Sequence, residues 1–283
     1  MARAGAKAAL VITTETQPNA IVMDLQSATL PAVMLGFADG AKLLEGLRNT
    51  NGLEVTVFLS PQALAADFLR VSAFSSKGPF PGLSLKPDLL AVGSNVLTAA
   101  QSVDVAGDLY SANGYSVVDG TSFSAPIAAG AMAVLKAARP GLTPAEYRSL
   151  LVHSARPLAA GISLSQSGAG LLRLDGALQS TMTIAPLSLD FAQDSQRLRV
   201  RNWQSEGATY SVDVESVRGI SPTVSAKSLQ VAAGASADLQ FQLDTAALPS
   251  GTYEGYVVVT PTSGTAIRVP YWFGKASAEA KQI

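Results

Sequence analysis

Short apolar runs and one amphipathic segment alternate along the first part of the chain. Residues 8–13 and 31–37 are apolar runs typical of buried strands, and residues 54–60 alternate apolar and polar positions as a third strand would. Residues 38–48 carry leucines at helical spacing and are followed by Asn and Gly, which commonly end helices. The pattern predicts a small α/β unit over residues 1–66, built as strand, strand, helix and strand.

Further along, a strand leads into a helix that is apolar on every side. Residues 114–118 predict a strand, residues 119–120 a turn, and residues 122–138 a helix whose faces are all apolar, the pattern of a fully buried helix. A second helix is predicted from Thr143, because Thr-Pro-Ala-Glu is a capping box with proline at the first helical position. A further strand is predicted at residues 95–99.

The pattern changes after residue 180, where apolar and polar positions alternate over most of the remaining chain. Turn signals rich in Gly, Pro and Ser separate about seven such segments. That number of strands predicts an immunoglobulin- or fibronectin-like all-β sandwich over residues 181–283. No catalytic cluster is evident there, and Trp203 and Trp272 are interpreted as core or interface aromatics.

Composition narrows the possible functions. Apolar residues make up 48% of the 283 residues and charged residues 14%, which indicates a well-cored globular protein. A formal net charge of -1 argues against nucleic acid or an anionic membrane as partner. The absence of cysteine excludes disulfides and thiolate catalysis. Neither a cofactor nor a metal site is expected, and no signal peptide or membrane span is recognised.

Ser122 stands at the predicted start of the apolar helix. A serine hydroxyl there lies among unpaired backbone N–H groups and at the positive end of the helix dipole, where developing negative charge is favoured. The ordinary interpretation of such a serine is a helix N-cap. Pro126 is expected in the first helical turn, where its missing N–H costs nothing.

The segment around Ser122 also resembles a known family. Residues 120–126, Gly-Thr-Ser-Phe-Ser-Ala-Pro, resemble the serine motif of the subtilisin-like serine proteases (subtilases, peptidase S8 type). The Gly-x-Ser-x-Gly elbow of α/β-hydrolases fits less well, because Ser124 occupies its last position. The resemblance implies that Ser122 is the catalytic nucleophile and that Gly120, Thr121 and Pro126 shape the motif.

Two upstream segments extend the resemblance in the family's order. Residues 74–79, Phe-Ser-Ser-Lys-Gly-Pro, and residues 86–93, Lys-Pro-Asp-Leu-Leu-Ala-Val-Gly, are similar to conserved elements of the same proteases, with Val92 in place of the usual proline. Residues 168–175 resemble the end of the catalytic domain. The resemblance implies that residues 67–180 form the C-terminal part of a subtilisin-like catalytic domain with a partial parallel sheet.

The flanking regions resemble modules of large subtilases. Residues 1–66 are similar to a protease-associated insertion, with an unspecified small α/β unit as an equal alternative. Residues 187–191, Leu-Ser-Leu-Asp-Phe, resemble the first strand of a C-terminal fibronectin-like domain. The expected fold class is therefore α/β, with a small α/β segment before the catalytic part and an all-β sandwich after it.

The expected partners of Ser122 are missing from the sequence. Subtilases place the catalytic Asp and His before the serine, whereas the single histidine of this chain, His153, follows it. No segment matches the family's oxyanion asparagine motif. We expect a C-terminal portion of a larger enzyme, left by a split gene, a truncation or a mis-called start, and inactive alone. Its apolar helix should then lack part of its cover.

Three functions stay open from the sequence. The first is a serine endopeptidase acting on protein or peptide substrates, completed by an N-terminal half that carries Asp and His, and extracellular or in the cell envelope. The second is a non-catalytic binding or surface module derived from a subtilase. The third is a small hydrolase that pairs Ser122 with His153, which requires hydrogen-bond contact between the two side chains.

Overall fold

The computed structural model describes residues 5–16, 18, 20, 30–50, 52–56, 69–80 and 84–277. The chain divides into two compact units. The first comprises Met1–Phe68, Ser72–Phe74 and Val92–Phe123, and the second comprises Leu69–Val71, Ser75–Ala91 and Ser124–Ile283.

The first unit begins with a parallel strand pair and a helix. β1 (Ala9–Ile12) pairs in parallel with β2 (Ala32–Leu35), and α1 (Phe37–Asn49) follows directly. The glycine at position 40 lets α1 lie directly against β1, since a Cβ at Gly40 would overlap the side chain of Ile12. The two strands and the helix predicted from periodicity are confirmed. Of the predicted strand at residues 54–60, the first three residues are not strand and the rest lie outside the described residues.

A β-hairpin completes the first unit. β3 (Val96–Ala99) pairs antiparallel with β4 (Tyr115–Val118), with Val96 opposite Val118. Both strands were predicted, but the parallel pairing expected from the family was not found for them. No crossover helix lies between β3 and β4, and parallel neighbours need such a connection whereas antiparallel neighbours do not.

The second unit contains a small helical cluster. α2 (Thr121–Ala138), whose first turn belongs to the first unit, is followed by α3 (Pro144–His153), α4 (Leu164–Ser167) and α5 (Leu174–Gln179). The predicted capping box of α3 is confirmed, since Thr143 Oγ1 accepts from the Glu146 N–H and Glu146 Oε2 accepts from the Thr143 N–H at 2.8 Å. One core joins α2, α3 and α5, built from Ala131, Leu135, Tyr147, Leu150, Leu151 and Ala177.

Most of α2 is exposed, which corrects the prediction of a fully buried helix. Only Ala131 and Leu135 are buried, whereas Ile127 and Val134 are 38% and 50% exposed. The chain packs against one side of the helix only, and the expectation that α2 lacks part of its cover is confirmed. By length and composition alone α2 could also cross a membrane, a test that core helices of water-soluble proteins pass as well.

Two of the sequence motifs lie side by side in the second unit. The Ala169 N–H donates to the Asp88 carbonyl, the Leu90 N–H to the Gly170 carbonyl, and the Leu172 N–H to the Leu90 carbonyl. The Lys-Pro-Asp segment is therefore paired with the Gly-Ala-Gly segment as a short parallel ladder. This ladder fixes the two motifs against each other, because the backbone of each supplies hydrogen-bond partners to the other.

Two mainly antiparallel sheets form the rest of the second unit. Their strands are β5 (Met182–Ala185), β6 (Leu189–Asp190), β7 (Ser195–Asn202), β8 (Ala208–Arg218), β9 (Thr223–Val224), β10 (Ser228–Val231), β11 (Ser236–Gln242), β12 (Gly251–Pro261) and β13 (Ile267–Lys275). One sheet has five strands in the order β10-β8-β12-β13-β6, and the other has four in the order β5-β7-β11-β9. Both sheets contribute to one large core that includes Leu198, Tyr210, Phe241 and Val257.

A buried carboxylate connects these sheets to the helical part. Glu254 of β12 is fully buried, and its Oε2 accepts from the Leu164 N–H and the Ser163 hydroxyl, each at 2.9 Å. These groups begin α4, so the carboxylate satisfies backbone donors that a helix start leaves unpaired. Around it Leu85 and Leu164 pack against Trp272 and neighbouring apolar side chains of the five-stranded sheet.

Candidate active site

The turn before Ser122 is fixed by hydrogen bonds from a neighbouring segment of the first unit. The Gly120 N–H donates to the Gly93 carbonyl at 2.7 Å, and Asp119 Oδ1 accepts from the Asn95 N–H at 2.6 Å. Asn95 has a φ of 54°, a conformation that asparagine tolerates better than most residues. The β3–β4 pairing brings residues 93–95 next to the turn, so this one segment holds the turn in place.

Sequence reasoning gave this supporting segment no role beyond the family motif. Gly93 closes the Lys-Pro-Asp motif, and Asn95 lies two residues after it, outside any recognised motif. The available signal was an Asn at the start of one predicted strand and an Asp directly after another, a combination that favours a local turn contact.

Glycine is required at the position where the turn enters α2. Gly120 has a φ of 151°, inside the range that side chains disfavour. The Phe123 N–H donates to the Gly120 carbonyl at 3.1 Å, which closes the first turn of the helix. The role assigned to Gly120 by the motif therefore has a conformational basis.

Ser122 is exposed at the amino end of α2. It is the second residue of the helix, and no described residue forms a hydrogen bond with its hydroxyl. The adjacent Thr121 is also exposed, and the first turn contains no acidic residue. Unpaired N–H groups and the helix dipole make this end electropositive, which stabilises an oxyanion or a developing alkoxide.

Pro126 lies deeper in α2 than the sequence indicated. The helix begins at Thr121, so Pro126 falls inside it rather than in the first turn. A proline there cannot donate to the carbonyl four residues earlier, which belongs to Ser122. The Ser122 carbonyl is thereby left without its usual helical hydrogen bond. The proline therefore changes the backbone hydrogen bonding of the residue that carries the hydroxyl.

His153 is buried and both of its ring nitrogens are engaged within the second unit. Its side chain is 1% exposed; Nε2 donates to the Leu187 carbonyl at 3.0 Å, and Nδ1 accepts from the Ser149 hydroxyl at 3.1 Å. Ser149 Oγ in turn accepts from the Ile184 N–H at 2.7 Å. These hydrogen bonds attach α3 to the segment that carries β5. They leave His153 no free ring nitrogen to accept a proton from Ser122.

Acid should weaken the fold through this histidine. Burial lowers the pKa of His153 from 6.5 to about 4, although the hydrogen bond to Leu187 opposes the shift. Between those pH values the unfolded chain binds a proton that the folded chain does not, so stability falls by roughly 1 kcal/mol for each pH unit as the pH drops from 6.5 towards 4. Denaturant unfolding from pH 7 to 4 measures this slope.

His153→Gln provides the control, because the chain has no second histidine. The difference in slope between wild type and variant isolates the imidazole from the carboxylates that titrate in the same range. Equal slopes for the two proteins would contradict the buried, neutral state of His153.

No metal centre is evident in the part of the chain that the structure describes. Groups of three or more His, Asp or Glu side chains suited to hold an ion are not found there. The expectation of catalysis without metal or cofactor stays a prediction.

The chain is similar in sequence to several known proteases. The chain is 25% identical over 267 residues to "Minor extracellular protease Vpr" of Bacillus subtilis, a match that covers 88% of this chain and 32% of that protein. It is 34% identical over 166 residues to subtilisin-like protease SBT1.3 of Arabidopsis thaliana, covering 54% of this chain and 20% of the relative. With the PIII-type proteinase of Lactococcus lactis it shares 29% identity over 140 residues, 48% of this chain and 6% of the relative.

These curated relatives are much longer than the matched regions, and the chain spans about a third of the length of Vpr. The sequence model of the peptidase S8 family, the subtilases, matches residues 5–170, more than half of the chain and including the turn and helix that carry Ser122. The chain belongs to the subtilase family.

Proposed function

We propose that this chain supplies the nucleophile of a subtilisin-like serine endopeptidase, which hydrolyses peptide bonds through an acyl-enzyme on Ser122. The observation that carries the proposal is the exposed, unpartnered Ser122 hydroxyl at the electropositive start of α2. The turn before it is rigidly held by Gly93 and Asn95. Such a position suits a nucleophile, which must be accessible and must tolerate nearby negative charge.

The activating groups come from a separate subtilase segment. A serine needs a base to accept its proton and a third group to orient that base. The single histidine of the chain is enclosed by Ser149 and Leu187 and unavailable. An N-terminal half carrying the catalytic Asp, His and oxyanion Asn therefore completes the enzyme, and the isolated chain is inactive.

The uncovered side of α2 is the surface that receives this half. Ile127 and Val134 are exposed on a helix with little polar character, and such apolar surface is costly in water. An open groove of about 290 Å³ lies between α2 and α3, with Leu89, Met132 and Leu151 among its lining residues. A segment packed there would cover the side of α2 that carries Met132, whereas Ile127 and Val134 do not line the groove.

The remaining modules and the location follow from the same proposal. Residues 1–66 correspond to a protease-associated insertion and residues 181–283 to a fibronectin-like module that contributes packing or binding surface. The two sheets with a common core support the second assignment. The substrate is a protein or peptide, and the extracellular designation of the relative Vpr supports an extracellular or cell-envelope location.

Reconstitution tests the proposal. The chain is mixed or coexpressed with an N-terminal subtilase segment carrying Asp, His and Asn, and hydrolysis of a fluorogenic peptide is followed. The chain alone should show background rates, because loss of base and oxyanion donor removes most of the catalytic acceleration. The pair should show turnover that is lost when the added segment's histidine is replaced by alanine.

A complex that forms but never hydrolyses peptide would overturn the proposal and favour the non-catalytic module. Activity of the chain alone that depends on His153 would favour the Ser122–His153 hydrolase. The two alternatives are thereby distinguished from the endopeptidase in one experiment.

A further inference from the structure

A small cavity lies within the second unit, and no residue assigned to catalysis lines it. Its volume is about 160 Å³, and it is enclosed by the end of α3, the start of α5 and strand β13. Since one water molecule occupies about 30 Å³ of liquid, the cavity has room for a small polyatomic ion but not for a nucleotide. The residues that line the cavity include three arginines: Arg156, Arg173 and Arg268.

The arginines are only partly neutralised. Arg156 forms no ion pair with any residue that the structure describes. Arg173 binds Asp175 through Nε and Nη2, and Nη1 has no partner among the described residues. Arg268 has a loose pair with Glu215 at 3.6 Å. Three cations facing two carboxylates leave the cavity with one surplus positive charge.

Ser154, one of the residues that line the cavity, carries a buried hydroxyl without a partner. Ser154 is 8% exposed, and its Oγ has no hydrogen-bond partner. An unsatisfied buried polar group costs free energy, and a bound water or ion is a common partner for such a group. The absence of a side chain at Gly176 keeps this space open, because a Cβ there would come within 3.3 Å of Ser154 and 3.6 Å of the Arg173 Cζ.

We propose that this cavity is a binding site for a small oxyanion, a phosphate or carboxylate group, held by the arginine guanidinium groups and the Ser154 hydroxyl. Guanidinium forks match the paired oxygens of both groups, and the surplus charge on Arg156 provides the electrostatic attraction. His153 forms part of the wall and contributes no hydrogen bond, since both ring nitrogens are occupied. The bound ion links the helical part to β13 and so stabilises the second unit.

The test uses the whole chain with inorganic phosphate and acetate as separate probes at constant ionic strength. Calorimetric titration should give saturable binding of at least one probe, with a rise in unfolding temperature. Arg156→Gln should raise the dissociation constant at least about tenfold, the usual effect of losing a charged hydrogen bond. Arg197→Gln is the matched control, an exposed arginine of β7 that does not line the cavity.

Ser154→Ala gives an independent test, because its expected effect on stability differs without and with the anion. Without anion the variant should be at least as stable as wild type, because an unpaired buried hydroxyl is removed. With anion it should bind more weakly and be stabilised less. Preference for phosphate or for acetate identifies which oxyanion is bound. Failure of both probes to bind wild type, equal responses of the two arginine variants, or unchanged affinity in Ser154→Ala would overturn the proposal.

Discussion

Replacing Ser122 by alanine in the reconstituted pair is expected to lower peptide turnover by about 10⁶-fold, as loss of the serine does in subtilisin. The reason is that the acyl-enzyme cannot form without the hydroxyl, and the remaining groups of the site act only together with it. Ser122 is exposed and lacks hydrogen bonds to described residues, so the substitution should leave folding unchanged. Rates with a fluorogenic peptide and unfolding curves measure the two effects separately.

Ser124→Ala is the matched control for this prediction. Ser124 lies two residues further along α2 and belongs to the same motif, but it is half-buried and has no assigned chemical role. Its replacement should change turnover only within a few-fold. Equal losses in both variants would indicate that the motif is structural and would remove Ser122 from its role as nucleophile.

Gly170→Ala is expected to unfold the second unit or to cost at least about 4 kcal/mol of stability, the upper range for single substitutions. Gly170 has a φ of 122°, and a Cβ there would overlap the carbonyl oxygen of Arg156. The substitution would displace the ladder between the Gly-Ala-Gly and Lys-Pro-Asp segments. Denaturant unfolding with a near-ultraviolet spectroscopic probe measures the loss.

Gly161→Ala separates crowding from backbone strain. Gly161 also has a positive φ, 94°, but no atom lies within 4 Å of a Cβ placed there. Its replacement should cost only the conformational strain of a left-handed residue, about 1–2 kcal/mol. Similar losses for the two variants would show that the overlap at Gly170 is relieved by small shifts of the chain.

Local signals predicted the secondary structure near the site well. The capping box at Thr143 placed the start of α3, and the sequence pattern placed α1 and the two strands that precede the serine turn, β3 and β4. These features depend on residues within one or two turns of each other, so the sequence alone contains the necessary information. The serine motif was recognised for the same reason, since its residues are contiguous.

Features that depend on distant residues could not be predicted. An apolar pattern shows which surface of α2 should be covered but not whether a neighbour is present, and the helix is in fact mostly exposed. The environment of His153 is formed by Ser149, Ile184 and Leu187. The last two belong to a later part of the chain, after α5. Similarly, no local pattern indicated that Arg156 and Arg268 line one cavity.

Labelling with a fluorophosphonate probe tests the central claim most directly, because the probe reacts with an activated serine irrespective of substrate preference. The modified residue is mapped by peptide mass spectrometry in the chain alone and in the chain paired with the N-terminal segment. The account predicts labelling of Ser122 only in the pair, and none in Ser122→Ala. Labelling of another serine, or no labelling of a properly formed pair, would contradict it.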